Sequence, residues 1–478
     1  MSTSKKGSKP TIIRQPKAKQ SDNVHYDDDL IIRTRLKSLI DTEPLEKLAG
    51  MIETEVQNRT QVIDFRYKIS CFLEDGALAL NRAVKEVQNY TSYGSKGPSE
   101  KPPTTLDVTF ADGSHIKVPW GQVNLPNMGK GAHIDMSYDT DHRIMYVKGE
   151  CERRYTPIMD RIIDQAHAYI ADESIYRGAA ITMGGDLQPK LLDLTDIESQ
   201  IMVLTAAATF ALEPILARIE RPEVCAAMDL SLKFGALLEG DYGTGKTLLA
   251  FKLAKKAIDN DWSFVYLTDP TKTAEALSIV GELATNGNGV LFFVEDIDLI
   301  LDGGRDGEMN KIFNILDGGD TKNRNIISVF TTNHLEKINP TFLRGKRIGA
   351  LITLGHLDQL TAIKFIEKRF PEGIKGDDLN EVAQKVEDLK IVPAFFAEIL
   401  DRVQANLIYK GLTDVTTEDI NSSIDSYKTQ MDLATTSKNK TATKADKLYT
   451  SFEDLVIAAV EPIKVQINEK MQEIADDY

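Results

Sequence analysis

Gly240-Asp241-Tyr242-Gly243-Thr244-Gly245-Lys246-Thr247 is the stretch that decides the fold. It fits the pattern G-x-x-x-x-G-K-[ST]. An apolar, strand-like run, Gly235–Leu238, leads into it, and a helix-like run, Leu248–Ile258, leaves it. That setting is what phosphate binding requires. Glycines let successive backbone N–H groups turn inward as an anion nest. The following helix aims its positive end at the same point. Lys246 supplies a point charge for terminal phosphate oxygens, and the Thr247 hydroxyl can ligate Mg2+. Gly240 through Leu248 is therefore the candidate phosphate-binding segment.

Outward from this loop, short apolar runs alternate with helical patterns: Phe264–Leu267, Val290–Val294, Ile326–Thr331 and Ala350–Leu354. This alternation predicts an α/β domain with a mainly parallel sheet. Val290–Val294 runs into Glu295-Asp296-Ile297-Asp298. A buried parallel strand delivers such carboxylates to the carboxyl edge of the sheet, where ligands bind. One can hold a metal and another can orient a water. The next run ends Thr331-Thr332-Asn333, which puts an amide within reach of a γ-phosphate. Phe342-Leu343-Arg344-Gly345-Lys346-Arg347 carries two arginines that could reach the phosphates of a neighbouring copy.

In this order, GDYGTGKT, LFFVEDID, TTN and FLRGKR resemble the Walker A, Walker B, sensor 1 and arginine segments of the AAA+ ATPases. The resemblance covers residues 190–430. The phrase TTNHLEKINPTFLRGKR is most similar to the AAA clade proper, including its mitochondrial-chaperone branch. It implies a P-loop NTPase parallel sheet over 190–356 with a C-terminal helical lid over 357–430. It further implies ATP and Mg2+ as ligands, hydrolysis to ADP and phosphate, and a homo-oligomeric ring, commonly a hexamer, with ATP at subunit interfaces. Carried over by position, Lys246 would hold phosphates, and Thr247 and Glu295 the metal. Asp296 would orient the water and Asn333 would be sensor 1. Arg344 and Arg347 would be the arginines supplied in trans, and Ile197, after Thr195-Asp196, would line the adenine pocket.

The sequence also departs from the family. Its Asp-Glu pair reads Glu295-Asp296 here, so Asp296 is one methylene shorter than the usual water-orienting acid. A displacement on the order of 1 Å can cost roughly 10²-fold in rate, which predicts slow hydrolysis. An alternative register puts Asp296 on the metal and Asp298 nearer the water. Thr268–Lys272 stands where the resemblance expects a substrate-gripping pore loop, and it has no aromatic residue. Gly303–Gly307 stands at a second pore loop, and no arginine lies near Val392-Pro393-Ala394, the sensor 2 position.

The rest of the chain frames this module. Residues 1–27 read as a basic tail, with six Lys or Arg and no acid in the first twenty. Residues 28–104 read as a helical region and linker, in which Met51–Tyr90 continues in helical style. Residues 105–189 read as a small α+β module with a hairpin (Leu106–Phe110 and His115–Val118), a helix (Arg153–Ile170) and a strand (Ile175–Met183). Residues 431–478 read as a Lys-rich linker and a C-terminal amphipathic helix. The 478 residues carry 57 basic and 72 acidic side chains, a net charge of −15. That balance argues against a wholesale nucleic-acid coat and leaves a local basic patch, the tail or the pore as the possible contact. Three cysteines and seven histidines show no metal-ligand spacing. No apolar run is long enough to span a membrane, and no secretory signal is evident, so the expected location is the cytoplasm, or the host cytoplasm for a viral protein. The expected function is an ATP-driven ring that remodels a protein or macromolecular complex recognised by residues 28–183. A nucleotide-gated scaffold with slow hydrolysis and an accessory ATPase in DNA transactions are the alternatives.

Overall fold

Nine residues that alternate in character begin the first sheet. In Val62–Ser70, Ile63, Phe65, Tyr67 and Ile69 share the more buried face, while Val62, Asp64, Arg66, Lys68 and Ser70 are exposed. A period of two is a strand's, not a helix's, so the expectation of continuous helix from Met51 to Tyr90 is corrected here. The computed structural model describes residues 44–88, 104–284, 289–301, 307–317, 324–345, 347–374 and 379–428. The basic tail, residues 89–103 of the linker, most of the Gly303–Gly307 loop and the expected C-terminal helix lie outside the described residues.

The N-terminal region runs α1 (Leu45–Thr60), β1 (Val62–Ser70), α2 (Leu73–Gln88), the hairpin β2 (Thr104–Thr109) and β3 (His115–Trp120), then β4 (Gln122–Asn124), β5 (His133–Asp139), β6 (Ile144–Glu152) and α3 (Thr156–Glu173). Strands β1-β6-β5-β4 form an antiparallel sheet in that order, with Val62 opposite Glu152 and Ser70 opposite Ile144. Ile69, Leu80, Met128, Met145, Met159 and Ile162 fill its core. Burial of such apolar surface, at about 25 cal/mol per Å2, is what holds the sheet to its helices.

The larger unit adds β7 (Ala180–Met183), β8 (Pro189–Leu191), α4 (Ala206–Glu220), α5 (Pro222–Ala227), β9 (Phe234–Glu239), α6 (Lys246–Ile258), β10 (Ser263–Leu267), α7 (Thr273–Val280), β11 (Val290–Val294), α8 (Asp298–Leu301), α9 (Gly307–Asp317), β12 (Ile326–Thr332) and β13 (Ala350–Thr353). Seven strands pair in the order β13-β9-β12-β11-β10-β7-β8, and all are parallel except β8. The five runs expected as strands are β9 to β13. The strand expected over Ile175–Met183 is shorter, and it pairs with β10 in this sheet, Phe264 opposite Ala180, not within the preceding module. Val290–Val294 and Ile326–Thr332 are buried throughout, as both faces of a parallel sheet are covered. One face packs on α7 to α9 and on the β2–β3 hairpin through Val108 and Val118; the other packs on α4 and α6.

A helical lid follows: α10 (Gln359–Arg369), α11 (Leu379–Asp388), α12 (Pro393–Lys410) and a helix over 417–428. Phe365, Phe396, Leu400, Ile420 and Ile424 form its core, with the two phenyl rings 5.6 Å apart. The fold is thus an α/β P-loop domain with a C-terminal helical lid and an α+β N-terminal region. Among the described residues, no helix is long and apolar enough to cross a membrane.

Candidate functional site

Strand β9 ends at Glu239, and the chain then makes a turn that only glycine permits. A Cβ on Gly240 would lie 2.0 Å from the Leu354 carbonyl oxygen. Gly243 has φ of 79°, and a Cβ there would press on Val392 and Ala394 of the lid at 3.2 and 3.3 Å. The Ala394 N–H donates to the Gly243 carbonyl at 3.1 Å, so the start of α12 is tied to the loop. Within the loop the Thr244 hydroxyl donates to the Asp241 carbonyl at 2.8 Å. Gly245, left-handed, caps α6, whose N-terminus carries unsatisfied N–H groups toward the cavity.

Lys246, first residue of α6, folds back over the loop. Its Nζ donates to the Gly240 carbonyl at 2.6 Å, the Asp241 carbonyl at 2.9 Å and Asn333 Oδ1 at 2.7 Å. Burial lowers the lysine's pKa, opposed by Asp296, Asp241, Glu239 and Glu295. Asn333, just past β12, passes the contact on: its Nδ2 donates to Asp296 Oδ1 at 2.8 Å. Asp296 has φ of 49°, and its N–H donates to Thr331 Oγ1 at 3.0 Å. Burial raises the Asp296 carboxyl above the usual aspartate range, and the charges of Asp298 and Glu295 add to this against Lys246 and His334.

Glu295 faces the other way. One carboxylate oxygen accepts from the Thr247 hydroxyl, and the other accepts from the Tyr266 hydroxyl at 2.6 Å. A hydroxyl and a carboxylate side by side are hard oxygen donors of the kind Mg2+ takes, so Thr247 and Glu295 fit the metal the fold implies. Asp298, 5% exposed, accepts from Thr332 Oγ1 at 2.8 Å and does not line the cavity. The alternative register that gave Asp298 a role beside the water therefore has no support from its position.

Tyr242, Gly243, Gly245, Lys246, Thr247 and Leu248 meet Glu295, Asp296 and Asn333 around one cavity of about 660 Å3, closed on its far side by Phe365, Pro393, Ala394 and Ala397 of the lid. Ile197 is buried and lines an adjoining cavity of about 500 Å3 with Thr247, Leu248 and Phe251. The two arginines part company. Arg344 is exposed and has no ion pair among the described residues. Arg347 is held within its own chain: its guanidinium donates twice to Asp317, at 2.8 and 2.7 Å, and once to the Thr341 carbonyl, and lies 4.0 Å over the Phe313 ring. Arg344 thus stands exposed, whereas Arg347 is engaged within its own chain.

Two residues at the site went unread in the sequence. Tyr266 is the one hydroxyl-bearing aromatic in β10, and its strand partner Phe293 lies two residues before Glu295. Arg369, at the end of α10, lines the cavity and pairs with Asp401 at 2.7 Å. It is a lid cation that the search for an arginine near Val392 passes over.

Residues 236–356 match the family described as ATPase family associated with various cellular activities (AAA). The chain is similar to a 26S proteasome regulatory subunit 4 homolog of Schizosaccharomyces pombe, 27% identical over 216 residues, covering 41% of this chain and 46% of that protein. It is 30% identical over 207 residues to cell division control protein 48 homolog C of Arabidopsis thaliana, covering 36% and 24%. It is 28% identical over 241 residues to an ATP-dependent zinc metalloprotease FtsH of Streptobacillus moniliformis, covering 45% and 33%. The chain therefore spans less than half the length of each of these relatives.

Proposed function

We propose that this chain, a member of the AAA+ ATPase family, binds Mg·ATP at residues 240–248 and hydrolyses it within a homo-oligomeric ring to remodel a protein or macromolecular complex. The observation that carries the reading is the chain of hydrogen bonds from Lys246 through Asn333 to Asp296. It links the phosphate-binding cation to the candidate base through the amide between them. Bound phosphate would take over the Lys246 donors now spent on the loop's own carbonyls. That change would pull on Asn333 and so on the Asp296 carboxylate, which makes the base responsive to the γ-phosphate. Asp296 would orient the attacking water and accept its proton. Thr247 and Glu295 would hold the Mg2+, whose chemistry is to neutralise charge on the β- and γ-oxygens. Arg344, exposed and unpaired, would complete the site of the adjacent subunit, and the hexamer common in the family fits that arrangement. Ile197 and its cavity would receive the adenine. The α+β region before the motor would recognise the partner.

Phosphate release from Mg·ATP, measured against protein concentration, tests this. Specific activity should rise with concentration and vanish in Lys246→Ala; turnover surviving in Lys246→Ala refutes the assignment. A second reading, a nucleotide-gated scaffold, draws on one observation. The carboxylate nearest Asn333 is the short Asp296 and not a glutamate, which favours slow turnover. Tight ATP binding with near-zero phosphate release at every concentration would select it.

A further inference from the structure

On the other side of the P-loop helix α6, α6 and the first lid helix α10 flank a further, open cleft of about 620 Å3. Its floor is apolar, with Leu212 of α4 and Leu249 and Leu253 of α6. Its rim is basic: Lys252 and Lys256 stand on α6, Lys364 and Lys368 on α10, against the single acid Glu367. Only Lys256 has a carboxylate at close range, Glu220 at 2.8 Å. Lys252 and Lys368 donate to backbone carbonyls, of Glu198 at 3.2 Å and Met202 at 2.9 Å, and neither forms an ion pair among the described residues. Lys364 has no ion pair or side-chain hydrogen bond among the described residues. Burial and the nearby charge of Lys368 depress the Lys252 pKa, against the charge of Glu198. An apolar floor beneath uncompensated cations suits a ligand that is itself apolar and anionic.

We propose that residues 451–463 of the same chain dock in this cleft. The segment reads Ser-Phe-Glu-Asp-Leu-Val-Ile-Ala-Ala-Val-Glu-Pro-Ile, with three acids and no base. Phe452, Leu455, Val456, Ala459 and Val460 repeat at helical spacing and supply an apolar stripe. Glu453, Asp454 and Glu461 supply the charge that the rim lacks. The tether is adequate. The last described residues belong to the lid, where Tyr427 packs in the same core as Phe365 of α10. Residues 429–450 then span roughly 70 Å when extended and about 25 Å as a coil. Such a tether holds the segment near the cleft at an effective concentration of about millimolar. The docked segment would bridge α6 and α10, and so fix the lid against the phosphate-binding helix. This inference stands apart from the assignment of hydrolysis, since it concerns a different cleft and is read without nucleotide.

The test uses the full chain. Zero-length carbodiimide cross-linking should join Glu453, Asp454 or Glu461 to Lys252, Lys364 or Lys368 within one molecule. Amide exchange over 452–463 should be at least tenfold slower than in Lys252→Glu/Lys364→Glu. The reciprocal change, Glu453→Lys/Asp454→Lys/Glu461→Lys, should release the segment to the same extent, and combining the two sets should restore at least half of the protection. Cross-links scattered over surface lysines without preference for the cleft would overturn the proposal, as would exchange that neither set alters. Cross-links joining heavy- to light-labelled molecules in a mixed sample would also overturn it, by assigning the cleft to a second copy's segment.

Discussion

Tyr266→Phe removes one oxygen atom and should cost this protein much of its grip on Mg2+. The Tyr266 ring is 5.3 Å from Phe293, stacked, and 5.6 Å from Phe251, edge-on. Phenylalanine keeps both contacts, so the sheet loses no packing. What disappears is the 2.6 Å hydrogen bond to Glu295. A hydrogen bond to a charged group contributes about 1.5–3 kcal/mol. Tyr266 is only partly buried, so the lower end applies, and about 1.5 kcal/mol corresponds to roughly a tenfold change in an equilibrium. Glu295 would keep the Thr247 contact and lose the brace on its other oxygen.

The expected result is a tenfold rise in the Mg2+ concentration for half-maximal nucleotide binding, read with a fluorescent ATP analogue. Binding without metal should stay within twofold of the parent. Glu295→Asp offers an internal check. With the shorter acid the hydroxyl has nothing to brace, so Tyr266→Phe should cost far less in that background; such non-additivity is the mark of direct coupling. An unchanged Mg2+ midpoint in Tyr266→Phe, or strict additivity with Glu295→Asp, would refute the reasoning.

Arg344→Ala should retain ATP binding and lose turnover by 10³-fold or more, whereas mixing it with Lys246→Ala should restore part of the activity by pairing each intact half-site. Asp296→Asn should bind ATP and not hydrolyse it. On the proposed role of Asp296 as base, turnover in the parent should fall on acidification at a pH above the usual aspartate value, because its carboxyl is raised. Asp75, buried beneath Ser174 and Ile175, has its carboxyl pushed up to about 6 by desolvation, against hydrogen bonds at 2.5 and 2.8 Å. Its folded form binds the proton more tightly than the unfolded chain, so stability falls as pH rises from about 4 to about 6. The total is on the order of 3 kcal/mol. Asp75→Asn should flatten that part of the urea-midpoint profile, and a profile unchanged by the substitution would exclude Asp75 as its source.

Strands β9 to β13 were legible because each is short, apolar and bounded by polar residues, as buried parallel strands must be. The loop was legible because phosphate binding dictates its glycines at fixed spacing. Strand β1 was not, although VIDFRYKIS alternates cleanly; its partner β6 lies some eighty residues on, and a helix-like stretch precedes it. The pairing of β7 with β10 is equally remote. At the site, the limit was pairwise geometry. Nothing local in FLRGKR separates Arg344 from Arg347, because the deciding partner, Asp317, ends α9 thirty residues earlier.

The exchanged order of the two acids also matches the contacts that each one makes. Thr247 follows β9 and Glu295 follows β11, with β12 between them. Glu295 accepts from the Thr247 hydroxyl at the start of α6 on one side and from the Tyr266 hydroxyl of β10 on the other. Asn333 follows β12 itself, a single strand away from Asp296. The longer acid thus bridges two hydroxyls, and the shorter meets the amide that follows the adjacent strand. The left-handed backbone at Asp296 turns its side chain toward β12, held there by Thr331 and Asn333. Tyr266, on β10 at the opposite side of β11, braces the long acid from behind. Restoring the usual order by Glu295→Asp/Asp296→Glu would leave the metal-side acid one methylene short of Thr247 and crowd a longer acid against Asn333. On this geometry the double change weakens Mg2+ binding instead of accelerating turnover, and a faster double variant would show that the order of the acids, not their reach, limits the rate.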